Sequence, residues 1–172
     1  MRTIIGLSGA QGVGKTSVAR FLVENYGYAY EPFAKPLKQM MEAFGVPPKY
    51  IYGTQEEKEM PLDCLCGKSA RHAMRTLGTE WGRDTISPEI WVHHWKKRAY
   101  GRLVVCDDVR FPNEVDAIHE LHGIVIRLEG FADEFGDHPS DRASELDVDV
   151  VIQNDGTLED LFRKVVEAVS QF

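Results

Sequence analysis

The stretch Gly9-Ala10-Gln11-Gly12-Val13-Gly14-Lys15-Thr16, GAQGVGKT, lies between an apolar run, TIIGLS, and a helix-like one, SVARFLVENY. Its spacing, Gly-x-x-x-x-Gly-Lys-Thr, is that of a phosphate-binding loop. Glycines take positive φ at no steric cost, so successive N–H groups can converge on an anion. A helix starting near Lys15 adds its unpaired N–H groups and the positive end of its dipole. Lys15 is placed to reach the β- and γ-phosphates of ATP, and the Thr16 hydroxyl to ligate Mg²⁺. Gln11, Gly12, Val13, Gly14, Lys15, Thr16 and Ser17 are therefore the candidate ATP contacts. A plain Gly-rich turn is the alternative, but strand, loop and helix occur in the order the motif requires.

Outward from this loop, the pattern alternates strands and helices. TIIGLS reads as a buried parallel strand. Val18, Phe21, Leu22 and Tyr26 recur at helical spacing. Tyr28–Glu31 forms a second short strand, and Pro36 opens a helix that Gly45 and Pro47-Pro48 end. Residues 46–67 read as irregular. Ser69 is an N-cap for a helix to about Leu77, and Ser87-Pro88-Glu89 starts another to about Tyr100. Leu103–Asp108 is a buried strand ending in acids. Pro112 opens a helix to Leu121. Ile124–Leu128 and Val148–Ile152 are strands, and Thr157–Phe172 is a final amphipathic helix. The order predicts an α/β fold of the P-loop NTPase type: a parallel sheet of about five strands with helices on both faces. Ligands of such sheets bind beyond the carboxyl ends of the strands, where both the glycine loop and Asp107-Asp108 fall.

The 172 residues suit a single domain with a real core. Apolar content of 43% and charged content of 27% are those of a globular chain, and no apolar run approaches the ~20 residues of a membrane span. The start of the chain reads directly into a strand, without a cleavable leader. Three cysteines, Cys64, Cys66 and Cys106, form no zinc spacing and fit a reducing cytoplasm. A net charge of −7 disfavours nucleic acid as a partner. An acidic protein that binds phosphates must concentrate its cations locally.

Two groups of residues answer that need. Asp107 and Asp108 end an apolar strand, where an acid organises Mg²⁺, in part through water. Arg71, Arg75, Arg83, Arg110, Arg127 and Arg142 are candidates to neutralise phosphate, since a guanidinium fork grips phosphate oxygens in pairs. Arg71 and Arg75 lie four apart on one helix and share a face. Lys96-Lys97-Arg98, near a helix end, reads as a solvated triplet that offsets the dipole. His93 and His94 read as surface or packing residues, His138 lies in a loop without the partner cysteines or histidines a metal site needs, and Trp81 and Trp91 read ordinarily as core. Phe33, after the second strand, offers an apolar plane to a nucleobase.

Leu77-Gly78-Thr79-Glu80-Trp81-Gly82-Arg83, Trp91-Val92 and Asp108-Val109-Arg110-Phe111-Pro112-Asn113-Glu114 together resemble the phage-type deoxynucleoside monophosphate kinases. So do Ala143-Ser144-Glu145 and Asn154-Asp155-Gly156-Thr157-Leu158, and the match runs in order through most of the chain. The resemblance implies transfer of the ATP γ-phosphate to a deoxynucleoside monophosphate, giving the diphosphate and ADP. It implies that Phe33, Lys38, Arg71, Asp108 and Arg110 hold the acceptor; Arg75, Trp81 and Arg83 are further candidate substrate contacts. It places Asn154 and Gly156 beside the adenine and makes residues 129–145 a lid. Where the family often has His before Ala-Ser-Glu, this chain has Arg142, so the lid cation is either Arg142 or His138.

The expected enzyme is a single P-loop kinase domain over residues 1–172, with an acceptor-binding segment at about 33–84 and a lid at about 129–145. Lys15, Arg71, Asp108, Arg110 and Arg142 are its expected catalytic residues, and Thr16, Asp107 and Asp108 its metal residues. Arg127 or Arg142 covers the transferring group. Its partners are small nucleotides, with no membrane or nucleic acid, and a homodimer is left open. Another small-molecule P-loop kinase, acting on a cofactor precursor or a phosphorylated isoprenoid, is the nearer alternative. A nucleotide-hydrolysing switch protein is the more distant one.

Overall fold

A computed structural model describes residues 4–130 and 146–171 of the chain. The chain groups into two compact units, Met1–Phe33 with His94–Phe172, and Ala34–His93.

The first unit is built on a five-stranded sheet. Its strands are β1 (Ile4–Ser8), β2 (Ala29–Tyr30), β5 (Val104–Cys106), β6 (Ile124–Gly130) and β7 (Val150–Asn154). They lie in the order β2-β5-β1-β6-β7, and every pairing is parallel. Parallel neighbours need crossover connections, which the helices supply. Helices α1 (Lys15–Tyr26) and α8 (Leu158–Gln171) cover one face. There Val18, Leu22, Leu161 and Val165 pack with Ile5, Leu7, Ile126 and Leu128 in one buried cluster. The period of two puts Gly6 on the opposite face. A Cβ on Gly6 would come within 2.5 Å of Ile118 on α7 (Pro112–Glu120), so glycine lets that helix lie close. All five strands run the same way, so the loops after β1, β2, β5 and β7 emerge at one edge.

The second unit contains α2 (Lys35–Ala43), α3 (Pro48–Tyr52), α4 (Gln55–Glu59), a hairpin of β3 (Pro61–Leu62) and β4 (Lys68–Ser69), and α5 (Ala70–Thr76). Met41, Val46, Ile51, Leu62 and Ala70 form its buried cluster. Residues 46–67, expected to be irregular, contain α3, α4 and β3. Thr54 caps α4 with a capping box, its hydroxyl accepting from Glu57 N while Glu57 accepts from Thr54 N. The Ser69 cap forms as expected, accepting from His72 N at 3.2 Å.

After α5 the helix widens to π geometry over Leu77–Ile86. The widened turn leaves the Gly78 carbonyl available to side chains. Trp91 Nε1 donates to it at 2.8 Å and Arg83 at 3.1 Å. A Cβ on Gly82 would come within 2.5 Å of the Trp91 ring. Much of the LGTEWGR stretch is thus explained by seating one indole.

Helix α6 (Ile90–Ala99) gives its first residues to the second unit and the rest to the first. In the first unit, Arg98 does not belong to a solvated triplet. It donates to the buried Glu31 at 3.3 Å and to the Pro32 carbonyl at 3.0 Å. Arg102 reaches the same carboxylate at 3.0 Å, and Trp95 Nε1 donates to the Glu31 carbonyl at 2.8 Å. A buried carboxylate requires such partners. This cluster pins the chain directly after β2.

Strand β6 runs two residues beyond Leu128, to Gly130, while β7 starts at Val150 rather than Val148. Asp149 instead accepts from Val125 N at 2.7 Å, which holds the entry to β7. Arg142 and His138 lie outside the described residues.

Candidate active site

The glycine loop turns as its composition requires. Gly9, Gly12 and Gly14 have φ of +125°, +84° and +102°. These are values that side-chain-bearing residues rarely adopt. A Cβ on Gly9 would in addition collide with the Leu128 carbonyl oxygen. Lys15 folds back over the loop, its ammonium donating to the Gly9 carbonyl at 2.8 Å and to that of Ala10. Burial and the nearby Arg110 charge push Lys15 down to about 8. Asn154, at the end of β7, donates to the Val13 carbonyl at 3.1 Å and ties the NDGT loop to the glycine loop.

The acids after β5 divide their contacts. Asp107 Oδ2 accepts from the Thr16 hydroxyl at 2.8 Å. Asp107 Oδ1 accepts from the Tyr30 phenol at 2.6 Å. Asp108 Oδ1 accepts from the backbone N–H of Phe33 at 2.9 Å. Asp107 therefore faces the phosphate loop, and Asp108 holds the loop after β2. Burial, together with the Asp107 charge and hydrogen bond, raises the Tyr30 phenol far above its ordinary range, so it remains a donor. The Phe33 ring, expected to offer an apolar plane to a nucleobase, is instead buried and stacks on Trp95, with centroids 4.4 Å apart.

Arg110 is exposed at the start of the segment leading into α7. Its backbone is held from below. Glu114, 2% exposed, accepts from Arg110 N at 2.7 Å and from Phe111 N at 3.1 Å. Pro112 at the first turn of α7 and Glu114 two residues on supply the expected chemistry of a helix start. Arg127, on β6, pairs with Glu129 at 2.9 Å and donates to the Leu146 carbonyl at 3.1 Å.

In the second unit, Arg71 pairs with Glu59 at 2.9 Å and bonds Gln55. Lys38 lies over the Tyr52 ring, 5.4 Å from its centroid. Trp81 is exposed, 6.4 Å from Trp91. Arg75 is half-buried on α5, and Gly156 is exposed. Two contributors carried no motif signal in the sequence: Tyr30, which reads only as a strand residue, and Glu31, whose partners lie about seventy residues away.

The donor set around Thr16 suits a hard divalent cation. A hydroxyl and a carboxylate, 2.8 Å apart and at the mouth of an anion-binding loop, are oxygen ligands of the kind Mg²⁺ takes. Among the described residues no group of three or more His, Cys, Asp or Glu is arranged to hold a metal by protein ligands alone.

A parallel sheet with a glycine loop after β1 and an acid after β5 is a fold of the P-loop type. The structure matches shikimate kinase from Aquifex aeolicus, with a TM-score of 0.55 and 11% identity over 98% of this chain and 96% of that one. It also matches a gluconokinase from Sinorhizobium meliloti, with a TM-score of 0.53 and 16% identity over 99% and 94%. At these identities the likeness is one of fold. The sequence is more specific. A family model for deoxynucleotide monophosphate kinase matches residues 51–165. The proposed deoxynucleotide monophosphate kinase of Acanthamoeba polyphaga mimivirus is 36% identical over 186 residues, covering 96% of this chain and 95% of that protein. The chain belongs to the deoxynucleotide monophosphate kinase family, and is thus a nucleoside monophosphate kinase.

Proposed function

We propose that the protein transfers the γ-phosphoryl group of ATP to the phosphate of a deoxynucleoside 5′-monophosphate, with Mg²⁺, in line. The observation that carries this reading is the Thr16–Asp107 hydrogen bond, which joins the start of α1 to the end of β5 beside Lys15. Residues Gln11 to Ser17 cradle the ATP phosphates, and Asn154 and Gly156 border the adenine. Thr16 and Asp107 would hold Mg²⁺, which when bound neutralises charge on the β- and γ-phosphates.

Asp108 and Arg110 serve the acceptor side of the first unit, and Asp108 holds the loop that carries the buried Phe33. Lys38, Arg71, Arg75, Trp81 and Arg83, in the proposed acceptor-binding segment at about 33–84, are the second unit's own candidate acceptor contacts. Arg127 or Arg142 covers the transferring group. Glu59 and Gln55 hold the Arg71 guanidinium in place. The protein forms no covalent bond with the phosphoryl group. Its residues align two nucleotides and offset their negative charge. A strong base is not required, because the acceptor oxygen is already an anion.

The test is a panel of deoxy- and ribonucleoside monophosphates with coupled detection of ADP. ADP formation dependent on a deoxynucleoside monophosphate supports the reading. ADP formation at the same rate without any acceptor refutes it.

A further inference from the structure

We propose that Tyr30 is a positioning residue for Asp107, and through Asp107 for the Thr16 hydroxyl at the metal-nucleotide site; this rests on the reading of Thr16 and Asp107 given above. Asp107 is gripped on both oxygens, by Thr16 on Oδ2 and by Tyr30 on Oδ1. A carboxylate that accepts a bond on each oxygen is fixed in its plane. Released at one oxygen, it can turn about its terminal torsion, which is broad and shallow.

The orientation matters because a hydroxyl has one proton and two lone pairs. With the Thr16 proton committed to Oδ2, the lone pairs remain for a cation. If Oδ2 moves, the proton follows and the lone pairs turn with it. Tyr30 therefore acts at one remove from the ion, through a hydrogen-bonded chain of the kind that orients metal ligands elsewhere.

The scaffold behind Tyr30 is rigid enough for this role. Strand β2 pairs with β5 in register, Tyr30 opposite Val105, so the phenol extends toward the residues that follow the strand. The next residue, Glu31, is pinned by Arg98 and Arg102. Tyr30 as a residue is 40% exposed and Tyr30→Phe keeps the ring, so removing the hydroxyl leaves the core packing intact.

The experiment is titration calorimetry of a non-hydrolysable ATP analogue, with Mg²⁺ and with chelator, on the wild-type protein, Tyr30→Phe, Asp107→Asn and the double variant. A hydrogen bond to a charged acceptor, only partly expressed in binding, predicts a loss of about three- to tenfold in Mg²⁺-dependent affinity for Tyr30→Phe. Affinity in chelator should be unchanged, and the double variant should bind no worse than Asp107→Asn alone. If Asp107→Asn loses the Mg²⁺-dependent gain while Tyr30→Phe keeps it, the positioning role is overturned and the metal reading stands. If neither variant changes it, both are overturned. An equal loss with and without Mg²⁺ in Tyr30→Phe also overturns the proposal, since it would mark a general packing effect.

Discussion

Truncating Glu114 isolates the support of Arg110 from the chemistry of Arg110 itself. The carboxylate is 2% exposed and accepts two backbone N–H groups, from Arg110 at 2.7 Å and Phe111 at 3.1 Å. It also lies in the first turn of α7, where the helix dipole favours negative charge. Hydrogen bonds to a charged acceptor contribute about 1.5–3 kcal/mol each, and the dipole about 0.3–1 kcal/mol. Opposing them is the desolvation of a buried carboxylate, which Glu114→Ala relieves. The net loss expected for Glu114→Ala is about 2–4 kcal/mol of unfolding free energy. Glu114→Gln keeps the shape and one acceptor oxygen, and should lose about 1–2 kcal/mol. Urea unfolding measures both. In steady-state kinetics the half-saturating acceptor concentration should rise more than that for ATP, because the Arg110 backbone is what loosens. An unfolding free energy for Glu114→Ala within about 0.5 kcal/mol of wild type would refute the reasoning.

Three further outcomes are expected. Below about pH 8 Lys15 is an unfavourably buried cation, and between about 8 and its ordinary 10.5 the unfolded chain holds more protons, so its contribution to the stability of the ligand-free protein rises with pH across that window. ATP should favour the charged ammonium, so binding at pH 9 should take up a proton. Calorimetry in buffers of different ionisation enthalpy reads this, and zero uptake would contradict it. Gly9→Ala should destabilise by about 2–4 kcal/mol, because its φ of +125° is combined with a collision against backbone; a melting temperature equal to wild type would contradict the loop geometry. Arg110→Ala should impair use of the monophosphate more than use of ATP in two-substrate kinetics, and a defect confined to ATP would count against its assigned side.

The glycine loop was legible because each of its residues has a local reason. Positive φ selects glycine, the following helix starts where Lys15 predicts, and the apolar run before it is too short for anything but a buried strand. The placement of Asp107 and Asp108 at the carboxyl end of a buried strand followed from LVVCDD ending in acids. The division of labour between Asp107 and Asp108 did not, because adjacent acids look alike until their partners are known. Tyr30 and Glu31 were silent for a similar reason: hydrogen-bond partners about seventy residues away leave no periodic trace. Helices α3 and α4, at five residues each, are too short to show a hydrophobic period. The π-helical stretch Leu77–Ile86 does not repeat at 3.6, so its glycines read as breaks until Trp91 is seen against Gly82. Arg98 was misread because a basic triplet at a helix end has a ready explanation in the dipole. Its real partner is a buried carboxylate on another element.

The central claim is that phosphorus passes from one bound nucleotide to another and not to water. Incubating the protein with Mg²⁺, a deoxynucleoside monophosphate and ATP labelled at the γ-phosphate tests it directly. The label should appear in the deoxynucleoside diphosphate, and Lys15→Ala should reduce its appearance by orders of magnitude without unfolding the protein. Label released as inorganic phosphate, at a rate indifferent to the acceptor, would contradict the account.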